Sequence, residues 1–289
     1  MKMHKKGIVL TSAMLQAEHD ESLFNEALDF LMQFDIKVIE FFTDAERAKC
    51  YGEAIISRNF EPLFISALDQ RRNSDCRICS EDESQRLRSV DFTKRSIEKA
   101  ILSGSKRTLI QSGTYPIDPL HEVKCMKAVE KSLIELSEFA GDDIRLMLEP
   151  CDRSVQLCQL LGPSLQVYTL MKKLSLNNIG LTMDIAHITE LFEDPIDAIS
   201  LCKPYCDHIH IANCVLEPTS ELFGDKHPLF GVADGCYNSE DGDKQYREVS
   251  SLYNNENLYI SMEMMGFDNE PMPFLKDMIN NTPWFFVKQ

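Results

Sequence analysis

Positive charge is scarce in this chain. Lys and Arg number 30 against 46 Asp and Glu over 289 residues, a formal net charge of −16. Binding to a phosphate backbone rests on Lys and Arg neutralising phosphates, so that balance argues against a nucleic-acid partner. Long apolar runs are missing as well. No stretch approaches the roughly 20 residues that span a bilayer, which argues against a membrane partner. Cys76 and Cys79 form a lone CxxC pair, CRIC, with no second pair at zinc-finger spacing. The ten cysteines therefore read as reduced thiols of a cytoplasmic protein rather than as staples or a metal knuckle. No low-complexity linker divides the chain, and residues 1–289 read as one domain.

What is present is ordinary for a globular protein with a sizeable core: 44% hydrophobic and 26% charged residues. The acidic surplus falls mostly on helical stretches, as a solvated face would place it. The opening MKMHKKGIVLTSAML has the basic head and short apolar run of a secretory leader. Thr11 and Ser12 break that run, however, and a first strand accounts for it more simply.

Strand and helix patterns alternate throughout. Strand-like runs fall at Lys6–Thr11, Lys37–Phe42, Glu61–Ala67, Arg107–Gln111, Ile144–Glu149, Ile179–Asp184, His208–Asn213 and Leu258–Glu263. Helical patterns follow at Asp20–Gln33, Asp44–Ser57, Glu81–Ser103, Pro119–Ala140, Ser154–Leu174 (interrupted near Gly162 and Pro163), Thr189–Cys202, Asp243–Asn254 and Pro273–Asn280. The polar stretch Leu68–Ser80 reads as a long loop over one mouth, and the Gly-rich stretch Cys214–Asp243 as a functional loop. Eight strand–helix units predict an α/β fold closed as a single (β/α)8 TIM barrel, with a doubly wound open sheet as the alternative.

The chemistry gathers at strand ends. IRLMLEP ends at Glu149, IGLTMDIAH carries Asp184 and His187, HIHIAN carries His208 and His210, and LYISMEM carries Glu263. Buried carboxylates and imidazoles are costly unless paired, so four such ends in one barrel point to a shared ion. Glu149, Asp184, His210 and Glu263 form an oxygen-rich set suited to a divalent metal: Mn2+, Mg2+, Co2+ or Zn2+. Each residue has a plainer explanation. Asp184 alone is a good helix cap, and of His208 and His210, alternating on one strand face, one serves as well to orient the other. Asp225 and His227, in GDKHPLFG, join His187 as a candidate second metal or hydroxyl-binding set. Glu40, ending the second strand, is a candidate pocket residue, with a structural contact as its alternative.

The ordered motifs LMLEP, TMDIAH, HIHIAN, DKHPLFG and SMEM resemble the xylose isomerase-like barrel family of sugar isomerases and epimerases, inosose dehydratase-type enzymes and endonuclease IV nucleases. The resemblance implies metal ligation by Glu149, Asp184, His210 and Glu263. It also implies proton transfer by Glu149 and Glu263, substrate contact by His187, and an extra metal site completed by Asp225 and His227. Two departures stand out. The nucleases' additional histidines after the early strands are absent from LFISALDQ and LIQSGTYP, and the arginine that epimerases often place after the strand-seven histidine is absent from IANCVLEP.

The leading expectation is a metal-dependent isomerase or epimerase of a sugar, sugar phosphate or polyol, working through an enediolate. His187, His208 and Glu40 would then contact or line the substrate pocket. Dehydration of a keto-polyol is a close variant; metal-dependent phosphodiester hydrolysis and a non-catalytic sugar-binding barrel are the rivals. Association as a homo-oligomer stays open, since no helix shows an unusually apolar outer face.

Overall fold

Short, largely buried strands alternating with capped amphipathic helices leave the chain one economical solution: parallel pairing with helical crossovers. The computed structural model describes residues 4–253, 257–266 and 270–289. Its strands are β1 (Lys5–Val9), β2 (Val38–Phe41), β3 (Glu61–Phe64), β4 (Arg107–Ile110), β5 (Arg145–Leu148), β6 (Ile179–Asp184), β7 (Cys206–Ile211) and β8 (Tyr259–Met262). They pair in chain order and close into a barrel, β1 lying parallel to both β2 and β8. The predicted TIM barrel is what the chain forms.

The helices are α1 (Leu10–Ala13), α2 (Glu21–Leu31), α3 (Ala45–Ser57), α4 (Ser66–Arg72), α5 (Glu83–Leu102), α6 (Glu122–Ala140), α7 (Ser164–Leu174), α8 (Ile185–Glu190), α9 (Pro195–Cys202), α10 (Ser239–Leu252) and α11 (Pro271–Asn281). Acidic caps set many of their starts. Asp20, Asp44, Asp82 and Asp194 each accept a backbone N–H from the first turn of α2, α3, α5 and α9. A capping box of Asn238 and Asp241 starts α10, earlier than the Asp243 expected, while the expected end at Asn254 lies outside the described residues. None of the described helices is long and apolar enough to cross a membrane.

Other boundaries differ from expectation for local reasons. The first strand stops at Val9, and α1 takes up Leu10 to Ala13. The helix expected from Ser154 begins only at Ser164, because the Asp152 carboxylate accepts N–H groups from Val155, Gln156 and Leu157 and winds the chain around itself. The helix expected over Thr189–Cys202 is two helices, α8 and α9, the second restarted by the Asp194 cap and Pro195. The stretch expected as a loop from Leu68 contains most of α4.

That last difference matters for the site. Strands β3 and β4 share one register pair, Phe64 with Thr108, and hydroxyls take over the ladder. Ser105 Oγ accepts from Phe64 N, and Thr108 Oγ1 donates to Phe64 O. Freed from the sheet at Ser66, the chain turns into α4. Gln70 then docks that helix on the end of β4 by exchanging two hydrogen bonds with the Gln111 backbone, at 2.8 and 3.2 Å.

Candidate metal centre at the carboxyl rim

The four expected ligands come from consecutive strands, β5 to β8, each at or within one residue of its strand's end. All are buried, Glu263 most exposed at 9%. One ligand atom from each lies within 4.8 Å of the others. His210 Nδ1 sits 2.7 Å from Glu263 Oε2, 3.4 Å from Asp184 Oδ2 and 3.5 Å from Glu149 Oε1. Yet neither His210 Nδ1 nor Asp184 Oδ2 makes a hydrogen bond. Buried polar atoms that converge without hydrogen-bond geometry are the pattern of a ligand set. Asp184 satisfies both readings of its position: Oδ1 caps α8 by accepting from Ala186 N at 2.6 Å, which leaves Oδ2 for the centre. Three carboxylates and one imidazole fit a hard or borderline divalent cation.

Below this ring lies a polar layer. Glu40 accepts from His208 Nε2 at 2.8 Å and from His210 Nε2 at 3.1 Å. Strands β2 and β7 are not neighbours, so this contact crosses the barrel interior. His208 Nδ1 pairs with Thr182 Oγ1 at 3.1 Å, and its ring meets that of His210 edge-on at 4.6 Å. Gly7 makes room here, since a Cβ would fall 2.2 Å from Ser261 Oγ. Glu40 and His208, expected as substrate contacts, are thus brought together one step below the ligands, and neither lines the rim cavity. With Nε2 bound to Glu40, His210 presents Nδ1 to the rim, an orientation set from behind.

The second set is also assembled. His227 Nε2 lies 2.9 Å and His187 Nε2 3.9 Å from Asp225 Oδ1, and His227 Nδ1 lies 3.9 Å from Asp184 Oδ2. Asp184 therefore faces both groups. Both ring nitrogens of His227, and Asp225 Oδ1, lack hydrogen-bond partners. His227 adopts a left-handed backbone, φ 38°, uncommon for a residue with a side chain and typical of a constrained functional loop. Glu190 Oε2 backs His187 from the other side, 3.1 Å from Nδ1.

Charge is the dominant feature of the rim. Burial alone would lower the His210 and His227 pKa values. The surrounding carboxylates (Glu40 and Glu263 around His210, Asp184 and Glu263 around His227) more than reverse that, lifting His227 to about 9 and His210 well above the ordinary range. Burial would raise Glu149, but His210 and the Arg71 cation hold it below the usual carboxylate range. The carboxylates thus favour protons on these imidazoles, and a metal cation would take the place of the proton at His210.

Arg71 and Gln111 are site residues that the sequence reading missed. Arg71, on α4, donates from Nη1 to Asp225 Oδ2 at 2.8 Å and from Nε to Gln111 Oε1 at 3.0 Å, with Nη2 3.5 Å from Glu149 Oε2. Gln111 Nε2 donates to the same Glu149 oxygen at 2.7 Å. The available signal was the helix-compatible run SALDQRR inside the presumed loop. Between Arg71 and the ligands lies a cavity of about 20 Å³, lined in part by Ser12, Leu109, Glu149, His210 and Glu263.

Comparison with known proteins agrees with this architecture. The chain belongs to the xylose isomerase-like TIM barrel family, whose model matches residues 33–274. No curated protein matches the sequence significantly. Among solved structures it is similar to an L-ribulose 3-epimerase (17% identity, TM-score 0.68, covering 96% of this chain and 93% of that one). It is also similar to the 3-keto-D-glucoside 4-epimerase from E. coli (16%, TM-score 0.65, 99% and 98%). A third is an AP endonuclease, family 2, from Brucella melitensis (15%, TM-score 0.66, 98% and 100%). At these identities the likeness carries the fold, and the chemistry rests on the residues.

Proposed function

We propose that this protein is a metal-dependent isomerase or epimerase acting on a sugar or polyol carbonyl. The observation that carries the reading is the convergence of Glu149, Asp184, His210 and Glu263 on one point, with two glutamates at the ends of the four-strand arc. The epimerases among the similar structures support it. Glu149, Asp184, His210 and Glu263 would hold a divalent ion, which would supply Lewis-acid polarisation of the carbonyl.

The chain's own groups supply the rest. One glutamate takes the proton from the carbon beside the carbonyl, giving the enediolate, and the other returns a proton to the opposite face or the adjacent carbon. Glu149 is fixed by Gln111 and Arg71, whereas Glu263 is held by Ser12 Oγ at 3.4 Å and is the freer of the two. His187 and the Asp225–His227 pair border the ring and orient substrate hydroxyls or a second ion. Glu40 and His208 act through His210. Expulsion of a hydroxyl after the same first step would make the product that of a dehydratase.

A second reading, phosphodiester hydrolysis with two ions, draws on the way Asp184 faces both groups. Arg71 and Gln111 oppose a further ion beside Glu149, because they occupy its outer oxygen.

The test is to supply Mn2+ or Co2+ and follow ketopentoses, ketohexoses and inososes for interconversion or loss of water. Glu149→Gln and Glu263→Gln should each lower turnover by about 10²–10⁴-fold without unfolding the protein. Cleavage of an abasic duplex with no turnover of any carbonyl substrate would replace this reading with the second.

A further inference from the structure

The rim cavity is too small for the proposed substrate. At about 20 Å³ it holds little more than a water, so the body of a sugar must lie elsewhere. A pocket of about 230 Å³ adjoins it, with Arg71 lining both spaces. Gln111 lines the larger pocket while its amide holds Glu149. On the far side Gln156 accepts from Asp225 N, and Gln159 accepts from Gly113 N.

The charge of this pocket is opposite to that of its surroundings. The molecule carries −16, and the neighbouring ring is built from carboxylates. Yet Arg71 and Arg77 line the pocket, and among the described residues no Asp or Glu does. Arg71 is occupied by Asp225, Glu149 and Gln111. Arg77 is not: its Nη2 donates to Thr114 O at 3.2 Å, while Nε is buried without a partner. Arg77 is half-buried, and a guanidinium with a donor still unbonded beside a pocket free of carboxylates selects an anion as its ligand.

We propose that this pocket receives the end of the substrate remote from the reacting carbons, and that this end is a phosphate ester or a carboxylate on a short polyol chain. The inference rests on the sugar reading above and narrows it to acidic sugars. The amides of Gln156 and Gln159 serve the intervening hydroxyls, and Arg77 the anion.

The test is calorimetric titration of the full chain, with and without Mn2+, using sorbitol, sorbitol 6-phosphate and gluconate, which lack the carbonyl and are not turned over. At least one anionic probe should bind about tenfold or more tightly than sorbitol. Arg77→Met, or Arg77→Gln if the first variant does not fold, should shrink that ratio to within about threefold. In the wild type the ratio should also fall as NaCl is raised. Comparing phosphate with carboxylate identifies the end group. Equal binding of all three probes, or an anionic advantage that survives loss of Arg77, would overturn the proposal. Equal turnover of neutral and phosphorylated ketoses would remove the pocket's role and leave the sugar reading standing. Tight, Arg77-dependent binding with no ketose turned over would do the reverse.

Discussion

Glu40 has no exposed surface and does not line the rim cavity, yet the direction of the His210 ring depends on it. A carboxylate behind a ligating imidazole fixes its tautomer and raises its basicity, and its loss typically costs about 10–100-fold in metal affinity. Glu40→Gln should therefore weaken Mn2+ or Co2+ binding by that range in a competition assay against a chelating dye, with the secondary structure unchanged. An unchanged affinity would make Glu40 a core residue only. The cysteines give a second residue-scale expectation. Burial pushes the Cys202 and Cys206 thiols up to about 12. Cys236 is half-buried, and a hydrogen bond from the Cys214 thiol lowers its pKa, so more of it is thiolate at neutral pH. Brief alkylation at pH 7.5, read by peptide mass mapping, should label Cys236 ahead of Cys202 and Cys206.

Among the elements, α4 shows how a local irregularity builds a site. A full β3–β4 ladder would have carried the chain past Ser66 as strand, and Arg71 could not then reach Asp225 and Glu149. The hydroxyls of Ser105 and Thr108 replace the missing ladder bonds, and the paired amides of Gln70 lock the helix in place. On the outside of the barrel, α3 approaches the end of α5 at Gly52, where a Cβ would lie 1.9 Å from the Ser103 carbonyl oxygen. Backbone cannot yield as a side chain does. Gly52→Ala should lower stability in urea unfolding by about 1–3 kcal/mol, the range for overpacking, with no change in metal affinity.

For the whole molecule, folding gathers Glu149, Asp184, Asp225 and Glu263 at one rim of an already acidic protein. A divalent cation held by that set would bind the folded chain and not the unfolded one, so the ion and the native state should stabilise one another. Mn2+ or Co2+ at a hundredfold excess over its Kd should add about 2.7 kcal/mol and raise Tm, with EDTA reversing the shift. His210→Ala should abolish most of that increment. A Tm indifferent to both ions would count against the centre.

The eightfold alternation of strands and helices, the barrel, and the residues of the ring were legible in the sequence, because periodicity and strand-end position are local properties. Asp184 illustrates this: its place at the junction of β6 and α8 fixed it as a cap and as a rim residue at once. What only the tertiary structure decided were relations between distant strands. The bridge from Glu40 to His208 and His210 spans 168 and 170 residues, and the reach of Arg71 to Asp225 spans 154. No pattern along the chain encodes which side chains meet across a closed cylinder, since that is set by register, by the stagger of the strands and by where a helix leaves the sheet.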